Sequence, residues 1–278
     1  MKNSENRYIV EKTCSAQPVI TPIMKRLIVA VVAFAVVASL AILPAFASGK
    51  SASGPLSFGI HRYERHAASN AETSLSCEYP VFGASVAGEA INGTILASII
   101  KIIPGPESAP PAATLDEAAT RFIDEYEKFR ASHKEYLYTW EAMVTGEVLL
   151  DQPRLVTVSI DSYVFTGGAH GMTLTQNMVF DAATGKQLGL ADFFAPGFET
   201  ALDKLIDSRF RQMRGLTPGD ALTGEKGGLF ENVIRHNENF AMTGSGIRFL
   251  YNQYDIAPYA AGQITIDLSF DELKGILR

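Results

Sequence analysis

Apolar residues recur at helical spacing in three stretches of this chain and at strand spacing in most of the others. Between residues 87 and 103, Ile91, Ile95, Ile99 and Ile102 fall at helical spacing. Asn92-Gly93 weakens that helix, and Pro104-Gly105-Pro106 ends it. Thr114 opens a second helix, with Glu117 placed three residues on for a capping box. Its apolar stripe is Leu115, Ala118, Ala119, Phe122, Ile123, Tyr126 and Phe129, opposite a charged face from Asp124 to Arg130. Phe198, Leu202, Leu205, Ile206, Phe210 and Met213 mark a third helix over 198–214. Strands are predicted over 56–66, 74–82, 136–142, 147–150, 155–165, 173–180, 187–190, 239–243, 247–256 and 263–270. Val156, Val158 and Ile160 alternate with polar neighbours, the pattern of a half-buried strand. Asp181 to Lys186 reads as a hairpin with Gly185 at the left-handed position, and Ser269 with Glu272 caps a short last helix. Helices and antiparallel strands are grouped, not strictly alternating. This implies an α+β fold of two lobes, with antiparallel sheets packed against amphipathic helices.

The first 47 residues break this pattern. Leu27 to Ala47 is apolar apart from Ser39, follows Lys25-Arg26 and ends in Ala45-Phe46-Ala47. A basic start, an apolar centre and a small-x-small end describe a secretory signal peptide over 24–47, starting at Met24 and cleaved after Ala47. Residues 1–23 then read as an upstream extension, and 48–56 as a Ser/Gly/Ala linker. The alternative is an uncleaved anchor, since about 20 apolar residues span a bilayer. Either way the chain is expected to be exported, to a periplasm or beyond the cell, with no stable membrane anchor if the leader is removed.

Charge narrows the partner classes. The 278 residues carry 24 basic and 30 acidic side chains. Removing the five basic and two acidic residues of the first 47 leaves a net charge of −9. A nucleic-acid surface needs a basic patch, so nucleic acid is not an expected partner. A basic protein would be attracted over long range. Of the two cysteines, Cys14 falls in the leader, which leaves Cys77 alone as a small buried apolar residue.

The chain has no P-loop, dinucleotide fingerprint, Gly-x-Ser-x-Gly, HExxH or Cys/His cluster. His61 and His66 stand five apart in a predicted strand, on opposite faces, while His133 follows a helix and His236 lies in a polar loop. Tyr136, Tyr138 and Trp140 share one face of a predicted strand and could stack on sugars, though packing is the favoured role. The densest signal is Thr166-Gly167-Gly168-Ala169-His170-Gly171. A histidine among glycines invites a catalytic or metal role. No spacing supplies it a partner, and Asp192, Asp255 and Asp267 cannot be ranked. His170 is therefore read as hydrogen-bonded to backbone and locking the turn. No catalytic group, metal ligand or cofactor is expected.

Tyr163 to Gly171, then Phe180 to Phe194, then Tyr251 to Gly262 resemble the hallmarks of the RsiV-type extracytoplasmic domain. That domain occurs in lysozyme-sensing anti-sigma factors, ahead of PdaC-type peptidoglycan deacetylase domains, and in secreted proteins without assigned function. The region with Tyr79-Pro80 and the helix from Ala87 resembles the smaller PdaC-type domain that usually precedes it. The resemblance implies a PdaC-type α+β domain over 57–152 and an RsiV-type α+β domain over 153–278. At most 26 residues precede the apolar run and the chain ends at Arg278, so neither a sigma-binding domain nor a deacetylase domain is expected. What the resemblance implies is a non-enzymatic binding protein engaging a lysozyme-like hydrolase or a cell-wall component. Its contact surface would use Thr166, Gly167, Gly168, His170, Gly171, Pro258 and Tyr259. The alternatives are an envelope glycan-acting enzyme or accessory module with His170 in its site, and a structural role without a ligand. The ligand and the oligomeric state stay open.

Overall fold

A computed structural model describes residues 55–278. The expected signal peptide, the expected extension over 1–23 and all but the last two residues of the expected linker lie outside the described residues. Six strands form one sheet in sequence order: β1 (Phe58–His66), β2 (Ser74–Phe82), β3 (Glu141–Asp151), β4 (Leu155–Phe165), β5 (Met172–Asp181) and β6 (Gln187–Leu188). Neighbours are antiparallel except β2 and β3. A parallel pair needs a long crossover, and here it carries α1 (Val86–Ile102) and α2 (Leu115–Ser132). After β6 come α3 (Leu190–Phe193) and α4 (Glu199–Arg214). A second, antiparallel sheet follows, of β7 (Phe240–Met242), β8 (Gly246–Tyr251) and β9 (Ile264–Ser269), and α5 (Phe270–Leu273) closes the chain. The architecture is α+β with two sheets.

Local chemistry sets the helix ends. The Ser85 hydroxyl accepts the Gly88 N–H at 3.0 Å to start α1. Thr114 accepts the Glu117 N–H at 3.1 Å to start α2, while the Glu117 carboxylate accepts the Ala113 N–H at 2.8 Å. Gly215 stops α4 in the left-handed conformation, φ 62°. Asn92 is more than a weak helix former. Its carboxamide accepts the Phe82 N–H at 2.8 Å and donates to the Phe82 carbonyl at 2.9 Å, pairing α1 with the end of β2 as a neighbouring strand would.

Two cores meet on one pair of strands. The first holds Leu75, Ile91, Ile95, Ile99, Phe122 and Tyr126 together with Val156, Val158, Ile160 and Phe180. Cys77 is buried there as expected, and burial pushes its thiol up to about 12. The second core holds Phe193, Phe194, Leu202, Ile206, Phe210, Phe249 and Ile266 together with Leu155 and Val179. Every residue from Leu155 to Ile160 is buried, which corrects the half-buried reading of β4. Its polar alternate residues face the second sheet instead of water. Thr157 donates to the Met242 carbonyl of β7 at 3.0 Å, which satisfies both buried groups. The expected division at 152/153 falls in the turn between β3 and β4, two neighbours of one sheet.

Tyr136 to Trp140 also depart from expectation. Strand pairing begins only at Glu141, opposite Ser74 and Phe165, and the residues before it pack through their rings outside any strand. At the far end Ser269 and Glu272 form the expected capping box. Hydrogen bonds from the Ser269 hydroxyl and N–H, with Arg209 beside it, hold the Glu272 carboxyl down at about 2, from an ordinary 4.5. A carboxylate held low stabilises the fold above its unfolded-state value, and that contribution is lost as pH falls through the folded one. Unfolding midpoints should therefore drop between pH 4.5 and about 2, and Glu272→Gln should flatten the profile in that window. Urea titrations at stepped pH measure this, and an unchanged slope in the variant would contradict the assignment.

Candidate functional site

The glycine-rich loop joins β4 to β5, and its glycines answer two different demands. Gly167 and Gly168 have φ of 101° and 98°, a region that disfavours side chains. A Cβ on Gly167 would also lie 2.2 Å from the Tyr136 hydroxyl, and one on Gly171 would lie 2.4 Å from the Tyr163 ring. Tyr136 uses that closeness, donating to the Thr166 carbonyl at 3.2 Å while accepting the Trp140 indole N–H at 3.1 Å. Arg130 donates to the Tyr136 carbonyl and ties the segment to α2. Burial, with Glu141 and Tyr259 nearby, raises the Tyr163 phenol above its ordinary value.

The second hallmark loop closes on the first. Tyr259, in a 3-10 turn over Tyr259–Ala261, donates its hydroxyl to the Gly171 carbonyl at 3.0 Å. The imidazole of His170 stacks on the Tyr259 ring, centroids 3.8 Å apart at 22°. His170 Nδ1 lies 3.1 Å from the same Gly171 carbonyl. A carbonyl only accepts, so Nδ1 carries a proton. Tyr254 continues the row, its ring 5.8 Å from that of Tyr259. Among the described residues it is the one non-glycine residue with positive φ, 69°, and its side chain is 49% exposed. Thr166, Gly168, His170 and Pro258 are exposed, while Gly171 is buried. The residues expected to form one surface thus lie on two touching loops.

Asparagines fix where the second loop starts. β6 pairs with β5 only at Val179 and Phe180, which leaves the edge of β5 open before them. Asn252 accepts the Thr175 N–H at 2.8 Å and donates to the Thr175 carbonyl at 3.1 Å. Asn239 accepts the Asn177 N–H at 2.8 Å and donates to that same Thr175 carbonyl at 2.8 Å. Gln263 donates to the Asn252 carboxamide oxygen at 2.9 Å and to the Thr175 hydroxyl at 3.0 Å.

The carboxylates considered for His170 are engaged elsewhere. Asp192 bonds Lys186 and the Gly189 N–H, Asp255 the Asn252 N–H, and Asp267 Arg248. The Asp-held imidazole of this protein is His236, which the sequence placed only in a polar loop. Its Nδ1 lies 2.6 Å from Asp203, which also accepts the His236 N–H at 2.9 Å. It lines a pocket of about 400 Å³ with Phe230, Arg235, Tyr251 and Asp255. Thirty-three residues separate the pair, so no local motif could reveal it. Among the described residues no three His, Cys, Asp or Glu side chains converge to hold a metal, and no helix is long and apolar enough to cross a membrane.

The match to known proteins follows the two resemblances. Residues 67–173 match the family model described as deacetylase PdaC, and residues 191–271 match that of a protein of unknown function, DUF3298. The two matches come in the order that the resemblance implies, but the first extends past the expected 152/153 boundary and takes in Tyr163–Gly171. The PdaC match runs through β4 and the glycine loop. Two solved structures share the fold. A DUF3298 family member from Bacteroides fragilis is 23% identical, with a TM-score of 0.67 over 82% of this chain and 95% of its own. A DUF3298 family protein from Pseudomonas aeruginosa is 20% identical, with a TM-score of 0.60 over 81% of this chain and 95% of its own. No curated protein matches the chain.

The two contacts that hold the loops in place differ in depth. Asn252→Ala leaves the buried Thr175 N–H without its partner and should cost about 2–3 kcal/mol, whereas Tyr259→Phe loses one half-buried hydroxyl and should cost about 1 kcal/mol. Urea unfolding of both variants checks the order, and equal costs would contradict it.

Proposed function

We propose that this protein is an exported, non-enzymatic binding protein of the bacterial envelope. Its contact surface is the ridge made by the loops 166–171 and 254–262, and its partner is a lysozyme-like hydrolase, with a cell-wall component as the second choice. One observation carries this reading. Tyr254 keeps a large exposed ring at a backbone position where glycine would be unstrained, in line with Tyr259 and His170. Exposed tyrosines offer wide contact area at low entropy cost. The rigid loops beneath them reduce what binding must order. The net charge of −9 outside the leader suits a basic lysozyme.

The test is titration calorimetry of residues 48–278 against a panel of lysozymes. Saturable heat that weakens at high salt is expected, and no heat with any of them removes the lysozyme reading. Tyr254→Gly should leave stability within about 1 kcal/mol, because relief of positive φ offsets the flexibility of glycine. The same change should weaken binding about tenfold or more. Unchanged affinity would place the contact surface elsewhere.

One observation favours a second reading, an envelope glycan-acting enzyme: an imidazole oriented by a carboxylate on a pocket wall is how a general base is held. That pair is His236 and Asp203, not His170. Incubation with peptidoglycan, followed by assay of released acetate and of new reducing ends, tests it. Release that His236→Gln abolishes would support it, and no release would end it.

A further inference from the structure

Helix α1 is more apolar than its place in the core requires. Between Val86 and Ile102 it carries one acidic and one basic residue, Glu89 and Lys101. Ile91, Ile95 and Ile99 fill the first core. Leu96 and Ile100, half-buried against the edge of that core, line with Ala97 an open groove of about 640 Å³. The opposite wall is the 104–113 segment, with Pro104, Pro106, Pro110 and Pro111.

The chemistry of the walls says what fits. Proline has no N–H, so the four prolines offer carbonyls but no donors to a peptide backbone. A β-strand laid in the groove would find few free donors along that wall: of its non-proline lining residues, Ala109 and Ala113 already give their N–H to the Pro106 carbonyl and to Glu117. An alkyl chain needs no hydrogen bonds and gains from every methylene it buries. The groove lies within the size range of small-molecule sites. No carboxylate lines it. Its two cations are Arg121, committed to Glu117 and the Pro110 carbonyl, and Lys101, which has no ion-pair partner among the described residues.

We propose that this groove binds a fatty acid, with the alkyl chain along Leu96, Ala97 and Ile100 and the carboxylate at Lys101. The site is built by elements other than the glycine loop and stands or falls apart from the lysozyme reading. The exported protein, purified without detergent, is titrated with octanoate, decanoate and dodecanoate below their micellar concentrations. Saturable one-site binding is expected, tightening about fourfold per added methylene, as about 0.8 kcal/mol for each implies. Ala97→Trp fills the groove from an exposed helix position and should weaken dodecanoate about tenfold or more, the loss of about two buried methylenes. Gly93→Leu, where a Cβ meets nothing within 4 Å, is the second filling variant should the tryptophan disturb folding. Lys101→Glu should weaken dodecanoate about fivefold and tighten dodecylamine. Absence of saturable binding overturns the proposal. So does a chain-length series with no gain, wild-type affinity in both filled variants, or equal affinity for dodecanoate and dodecylamine in the unaltered protein. Loss of dodecanoate binding in Tyr259→Phe would also overturn it, because the ligand would then sit at the ridge.

Discussion

The first half of strand β4, Leu155 to Ile160, has no solvent-facing side, and the rest of the fold depends on how that is arranged. From Leu155 to Ile160 its side chains enter the first core on one face and meet the second sheet on the other. Beside Leu155 and Val179, the second face buries polar side chains, Thr157 and Ser159 on β4 and Thr175 and Asn177 on β5. Each such group costs about 1–3 kcal/mol if it finds no partner. The second sheet must therefore bring partners to fixed places: the Met242 carbonyl to Thr157, and the Asn239 and Asn252 carboxamides to the backbone of β5. An apolar seam would allow the two layers to slide. This one admits the register that satisfies Thr157, Thr175 and Asn177 together.

The ridge follows from that register. Asn252 pairs with Thr175 through its side chain and begins a tight turn through its backbone, with its N–H given to Asp255 at 2.7 Å. The turn puts Tyr254 at positive φ and carries the chain on to Tyr259, whose hydroxyl returns to Gly171 at the start of β5. The loop is thus fixed to β5 at two points, Thr175 and Gly171. Three aromatic rings stand on a backbone that the shared strands hold, which separates this surface from a mobile binding loop.

The sequence made the periodic parts of this structure legible. The three helical stripes, the Thr114 and Ser269 caps and the Gly185 turn all follow from residue type and spacing. What it hid were polar residues used inside. Alternation along β4 reports polarity, and Thr157 and Ser159 are polar, but it does not report exposure. Asn92 looks like a flaw in a helix because its service is to Phe82, ten residues away. Asn252 lies within a recognisable motif, yet its partner is 77 residues distant. Tyr136 to Trp140 have strand composition but no strand, because their rings and hydroxyls serve the glycine loop. His236 and Asp203 meet only once the chain leaving α4 turns back on it.

Tyr254 and His170 differ in how far the fold accounts for them. His170 is explained locally: its ring lies on Tyr259 and its Nδ1–H faces the Gly171 carbonyl, so it braces the loop it sits in. Tyr254 has no such local account. The turn needs its backbone, whose N–H donates to the Ala257 carbonyl at 3.2 Å, and glycine or asparagine would meet that need with less strain. A tyrosine in the left-handed region costs about 1–2 kcal/mol. Its ring lies 5.8 Å from that of Tyr259, and the residue is about half exposed. A strained, half-exposed phenol where a smaller residue would carry less strain is the ground on which the proposed contact surface rests.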